Sequence, residues 1–174
     1  AERTDMTNKL LPTSLALLLG STMLAHAGPD AMTPQEARHL LARTGFGAAP
    51  QEIADLTGKS YADGVAQIIN GITTQPVNPM PEWAKHWGYP EEYIWTMGQT
   101  VTDFYYTTRY YEMEELQKWW LSEMVSTPSP LTEKLTLFWH DHFATSFDDT
   151  ENAQWMARQN AMFRANAAGN FADL

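Results

Sequence analysis

Two histidines flank an aspartate in Phe138-Trp139-His140-Asp141-His142-Phe143, hemmed in by bulky aromatics. Such a set admits three roles: imidazoles holding a metal, one imidazole acting as general acid or base, or histidines built into a core. Placed on a helix at about 100° per residue, Leu131, Leu135, Phe138 and His142 fall within about 60° of one another. His142 is therefore expected to be buried in the most apolar stripe of its helix. His140 falls about 160° away, beside Glu133, and Asp141 lies near Lys134. Histidines at i and i+2 of a regular helix cannot grip one ion, unlike the i, i+4 pair of a zinc protease. Leu137, Trp139 and Phe143 spread apolar surface around the remaining circumference, which suggests a helix enclosed on several sides with both histidines inside.

A buried imidazole needs hydrogen-bond partners, because leaving one nitrogen unpaired costs about 1–3 kcal/mol. The next helix, 153–168, offers them. Gln159 and Asn166 lie on one stripe with Trp155 and Met162, and Asn160 lies on the adjacent stripe with Met156 and Phe163, followed by Arg164. Two readings stay open. In one, the polar set locks helices 130–146 and 153–168 together. In the other it is a pocket wall, with His140 or His142 as general acid or base and Arg164 and Asn160 orienting an anionic or hydroxyl-rich group. Asp148, Asp149 and Glu151 could offer oxygen ligands to calcium, but the full calcium-loop spacing is absent and a solvated acidic loop is the plainer reading.

The elements that would position these groups read as helices. Thr33-Pro34-Gln35-Glu36 is a capping box with proline at the first helical position, and Gly45 is placed to end that helix. A short helix from about Pro50 should bury Ile53 and Leu56 before Gly58. Ser60 caps a third, whose Val65, Ile68 and Ile69 recur at helical spacing. Residues 71–90 hold four prolines and form a long loop. A helix from about Thr102 to Val125 carries Tyr105, Tyr106, Arg109, Met113, Leu116, Trp120 and Met124 in steps of three and four. Of 21 aromatic residues, 12 fall between Trp83 and Trp120. Most suit core packing, and Trp83, Trp87 and Tyr89 on the loop could instead form a platform for sugar rings. Ser129 is a good cap for the helix that Pro130 opens. The fold class is all-α: an irregular multi-helix domain with a long loop rich in proline and aromatics.

Composition narrows the function. Lys plus Arg is 11 against 21 for Asp plus Glu, and the net charge of −10 would repel a phosphate backbone, so no nucleic-acid partner is expected. There is no cysteine, which removes thiolate metal sites and cysteine nucleophiles. Met6-Thr7-Asn8-Lys9, the apolar run from Leu10 to Ala25 and Ala25-His26-Ala27 have the layout of a secretory signal peptide. Residues 1–27 are read as upstream residues and signal, and 28–174 as the helical domain, periplasmic or secreted. The apolar run, about 16 residues, is shorter than the roughly 20 that span a bilayer. Cleavage would remove Arg3 and Lys9 with Glu2 and Asp5, leaving the charge at −10.

Three stretches resemble the bacterial family grouped as domain of unknown function 1800. They are His39-Leu40-Leu41-Ala42-Arg43-Thr44-Gly45-Phe46-Gly47 with Pro50 and Glu52-Ile53, then 133–146 around the two histidines, then Gln159-Asn160, Arg164, Ala167 and Gly169-Asn170-Phe171. The resemblance runs from about residue 33 to the end and is loose over 72–125. It implies an exported protein, with this chain as the amino-terminal portion of a larger helical one, often encoded beside a second exported protein similar to the alkaline phosphatase and sulfatase superfamily. The family often has asparagine in place of Asp141, which argues against an obligatory acid there.

The expectations are accordingly these. The enzyme reading is a hydrolase- or lyase-like activity on an extracytoplasmic polymer such as polysaccharide, with His140, His142, Arg164 and Asn160 catalytic and Trp83, Trp87, Gln159 and Asn166 binding substrate. Its rival is a non-enzymatic binding or assembly partner of another exported protein, with the histidines structural. No cofactor and no metal site is expected, a histidine-ligated metal completed from elsewhere being a third option. No stable membrane span is expected once the signal is removed.

Overall fold

The computed structural model describes residues 30–86 and 94–174. The signal-peptide reading of residues 1–27, and Trp87 and Tyr89 of the aromatic loop, lie outside those described residues. The fold is all-α, and among the described residues there is no strand beyond one isolated bridge between Ala31 and Ser60. No helix among them is long and apolar enough to cross a membrane.

Helix α1 (Pro34–Thr44) starts as the sequence predicts: Thr33 accepts from the Glu36 N–H, and Glu36 takes the Thr33 N–H at 2.8 Å. Helix α2 (Pro50–Leu56) opens on Ala49, whose N–H goes to Glu52 at 2.7 Å. Gly58, at φ +85, then turns the chain in a conformation that costs a glycine little. Ser60 caps α3 (Tyr61–Asn70). Met32, Ala37, Leu40, Ile53 and Leu56 make one buried cluster, with Val65 and Ile68 at its edge; Ile69 is exposed instead.

The long loop carries one turn of 3-10 helix over Glu82–Lys85 before the described chain resumes at Ile94. Helix α4 (Gln99–Ser126) is the longest element, and its inward face is Thr102, Arg109, Leu116, Trp119 and Glu123. That stripe is rotated from the predicted one: Trp119 rather than Trp120 is fully buried, and Met124 gives way to Glu123. Helix α5 (Pro130–His142) follows and stops four residues sooner than the spacing predicts. Ser129 does not cap it in the expected way. Its hydroxyl instead shares a hydrogen bond with Thr132 at 2.7 Å and accepts the Thr73 N–H, while Thr132 donates to the Thr73 carbonyl. The predicted acidic loop contains a helical turn, α6 (Phe147–Thr150), capped by Ser146. Helix α7 (Ala153–Ala165) starts on Asn152, whose side chain accepts the Trp155 N–H.

A second cluster joins α4 and α7 under the 3-10 turn: Ala84, Leu116, Trp119, Met156 and Ala157. Helix α5 bridges the two clusters. Lys134 donates to the Gly45 carbonyl at 2.8 Å, and a Cβ on Gly45 would come within 3.0 Å of Pro130. The end of α1 and the start of α5 therefore touch at a place sized for glycine.

Candidate functional site between α5 and α7

Glu133, Thr136 and His140 recur at three and four residues, so they share one face of α5, and that face turns inward. Asn160 and Arg164, four apart on α7, face them. Glu133 and Arg164 are 1% and 3% exposed. Arg164 grips Glu133 at two points: Nη1 donates to Oε1, and Nη2 to Oε2 at 2.8 Å. The same Oε2 accepts Trp120 Nε1–H at 2.8 Å. A second carboxylate, Glu123, lies 4.0 Å from Nη1 and accepts the Val77 and Asn78 backbone N–H groups and the Asn78 side-chain amide. The guanidinium lies 5.3 Å from the Trp119 ring centroid, and its Nε finds no partner.

Two carboxylates thus share one guanidinium in a space closed to water, with tryptophan and backbone donors supplying the remaining hydrogen bonds. Burial makes such a set all-or-nothing. A satisfied network fixes how the three helices sit, while the loss of one member strands a charge.

The network reaches His140 through Asn160. Arg164 Nη2 lies 3.4 Å from Asn160 Oδ1, and Asn160 Nδ2 lies 3.4 Å from His140 Nε2. A guanidinium only donates, so the Asn160 oxygen faces Arg164 and its amide nitrogen faces the imidazole, which accepts through Nε2. The ring packs 4.9 Å from both Trp120 and Phe163. Burial lowers its pKa to about 4, so it is neutral at pH 7 and can accept there but not supply a proton.

His142 is not part of this arrangement. The sequence placed it inside the apolar stripe with Phe138, yet both are exposed, and His142 stacks on Phe138 at 6.0 Å. The inward face of α5 was misjudged because apolar side chains were counted and the partners waiting on other helices were not. Glu133 has Arg164 and Trp120 to meet only on the inside, and their geometry sets the rotation of α5.

The other candidates scatter. Gln159 donates to the Thr145 hydroxyl at 3.0 Å and leaves its own oxygen buried without a partner. Asn166 turns back to the Met162 carbonyl. Trp83 sits against α4, donating to Glu115 at 2.8 Å, apart from the histidine. Asp148, Asp149 and Glu151 do not converge, and among the described residues no three His, Asp or Glu side chains are grouped to hold an ion. Sequence reasoning missed Glu133, Glu123 and Trp120. The legible signal for Glu133 was its spacing, seven residues before His140 on the same face.

A family model described as protein of unknown function, DUF1800, matches residues 39–174. The chain belongs to that family. The match takes in every residue of the network, from Val77 to Arg164, so the DUF1800 membership and the α5–α7 seam concern the same part of the chain. No curated protein and no solved structure matches.

Proposed function

We propose that this DUF1800 protein is an exported, non-enzymatic binding partner that docks on another exported protein, and that its buried histidine is structural. One observation carries the reading: an aromatic surface lies open beside the closed network. Phe138, His142, Phe143, Trp139 and Phe171 touch ring to ring at 4.9–6.0 Å, with Phe138 53% and Phe171 64% exposed. Aromatic clusters of this kind are the usual anchors of protein interfaces. The network supports the same reading from the other side. Arg164 is committed to Glu133 and Asn160, and a His140 with a pKa near 4 is a poor proton donor at neutral pH. The partner that the family resemblance suggests is an exported protein of the sulfatase and phosphatase-like superfamily.

The test is a binding measurement with an exported protein of that superfamily. Phe138→Ser with Phe143→Ser should weaken binding at least tenfold while leaving the helical circular dichroism unchanged. Unaltered affinity would remove the docking reading. The hydrolase-like alternative, acting on a polysaccharide, is favoured by one fact: the His140 imidazole stays neutral at pH 7, the protonation state a general base starts from. Polymer cleavage that is lost in His140→Gln, with the fold intact, would establish it instead.

A further inference from the structure

A second buried arginine lies in the other half of α4, far from the histidines in sequence. Arg109 is 3% exposed, its Nη1 has no hydrogen-bond partner, and among the described residues no carboxylate lies within ion-pair distance. The Tyr105 ring lies 4.3 Å from the guanidinium carbon, and Glu112 is near enough to feel its charge. A guanidinium keeps its charge in any protein environment, so it cannot escape this position by losing a proton. A cation–π contact answers the charge in part and satisfies no N–H.

Arg109 lines a cavity of about 610 Å³, within the range of small-molecule sites. The apolar walls are Trp83, Ile94, Met97 and Phe104, and the polar lining includes Glu112 from α4 and Gln154 from α7. Trp83 is pinned by its hydrogen bond to Glu115, so its position against the cavity is set in advance. A buried, unsaturated cation at the wall of a preformed, largely apolar cavity describes a site for a molecule with an anionic head and an apolar body.

We propose that this cavity binds a small organic acid, its carboxylate on Arg109 and its apolar body against Trp83 and Phe104. One guanidinium matches the two oxygens of one carboxylate. Glu112 on the same wall disfavours a doubly charged phosphate. Burial, and secondarily the nearby Glu115, hold the Glu112 carboxyl above the usual range against the pull of Arg109. Gln154 offers an amide to the head group or to a polar substituent. The site is independent of the aromatic docking surface on α5 and of whatever binds there.

The experiment is calorimetric titration of the whole chain with phenylacetate and hexanoate, each beside its primary amide, and with inorganic phosphate. At least one carboxylate should bind, at least tenfold more tightly than its amide and than phosphate. Arg109→Met should abolish that binding, and Arg109→Lys, which keeps the charge but loses the fork, should weaken it several-fold. No binding by either acid, equal binding of acid and amide, or tighter binding of phosphate would overturn the proposal. So would unchanged affinity in Arg109→Lys, which decides the matter even if Arg109→Met does not fold.

Discussion

Arg164 and Arg109 are equally buried, at 3% exposed, and both lie against aromatic rings, yet among the described residues one is clasped by carboxylates and the other has no ion-pair partner. Arg164 has Glu133 at two points, Asn160 beside it and Glu123 at 4.0 Å. Arg109 has Tyr105 and an open cavity. Burial alone therefore says little about what a charged residue is for. The pairing decides: a guanidinium clasped by a carboxylate is part of the frame, and one with no ion-pair partner among the described residues, beside empty space, is addressed to something else.

The largest effect should come from breaking the Arg164–Glu133 pair. Arg164→Met leaves Glu133 and Glu123 buried without their cation, and a loss of about 3–5 kcal/mol is expected, enough to lower the melting temperature by roughly 10 °C. Arg109→Met removes a charge that has no ion-pair partner among the described residues and should cost less than about 1 kcal/mol or even stabilise. Chemical denaturation of the two variants side by side checks the contrast, and equal losses would dissolve it. Combining Arg164→Met with Glu133→Leu should recover part of the loss, because the stranded carboxylate at the pair is gone as well.

Next in size is Glu123→Gln. The side chain is 0% exposed and takes two backbone N–H groups and one amide from Val77 and Asn78. An amide in its place offers one oxygen and turns an N–H toward donors, so about 1–3 kcal/mol should be lost. The damage should concentrate where the loop is tied down. Amide hydrogen exchange at Val77 and Asn78 should quicken by more than that of α1, and uniform acceleration would show that Glu123 holds no particular segment.

The helices were legible because their signals are local. Thr33 and Glu36, Pro34, Ser60 and Pro130 mark the starts within three or four residues of chain, and the structure opens helices at each. The seam was legible in part. His140, Asn160 and Arg164 were named, and they do meet. The rotation of α5 was not legible, because it depends on Trp120 and Arg164, 13 and 31 residues from Glu133. An apolar count on one helix contains no trace of either, and it chose Phe138 and His142 for the inside. Arg109 was visible as one charge in an apolar stripe, but the lack of an ion-pair partner among the described residues is a property of the space around it.

The smallest predicted effect probes how tightly the seam closes on His140. The unfolded chain takes up a proton near pH 6.5, whereas burial holds the folded ring neutral down to about 4. The unfolded state therefore binds more protons between those values, and the neutral ring's contribution, present in full above 6.5, is lost as the pH falls toward 4. At about 1.4 kcal/mol per unit, reduced because water still reaches part of the ring, the loss should be roughly 1–2 kcal/mol. Glu36 and Glu82, held below the usual carboxylate range by the Thr33 and Lys85 hydrogen bonds respectively, add their own loss of stability at the acid end. The informative quantity is therefore the stability of the native chain minus that of His140→Gln, followed by urea unfolding from pH 7.5 to 4. That difference should shrink by the stated amount. A difference that stays level would mean the imidazole charges freely in the folded protein, and that the network between α5 and α7 ends at Asn160.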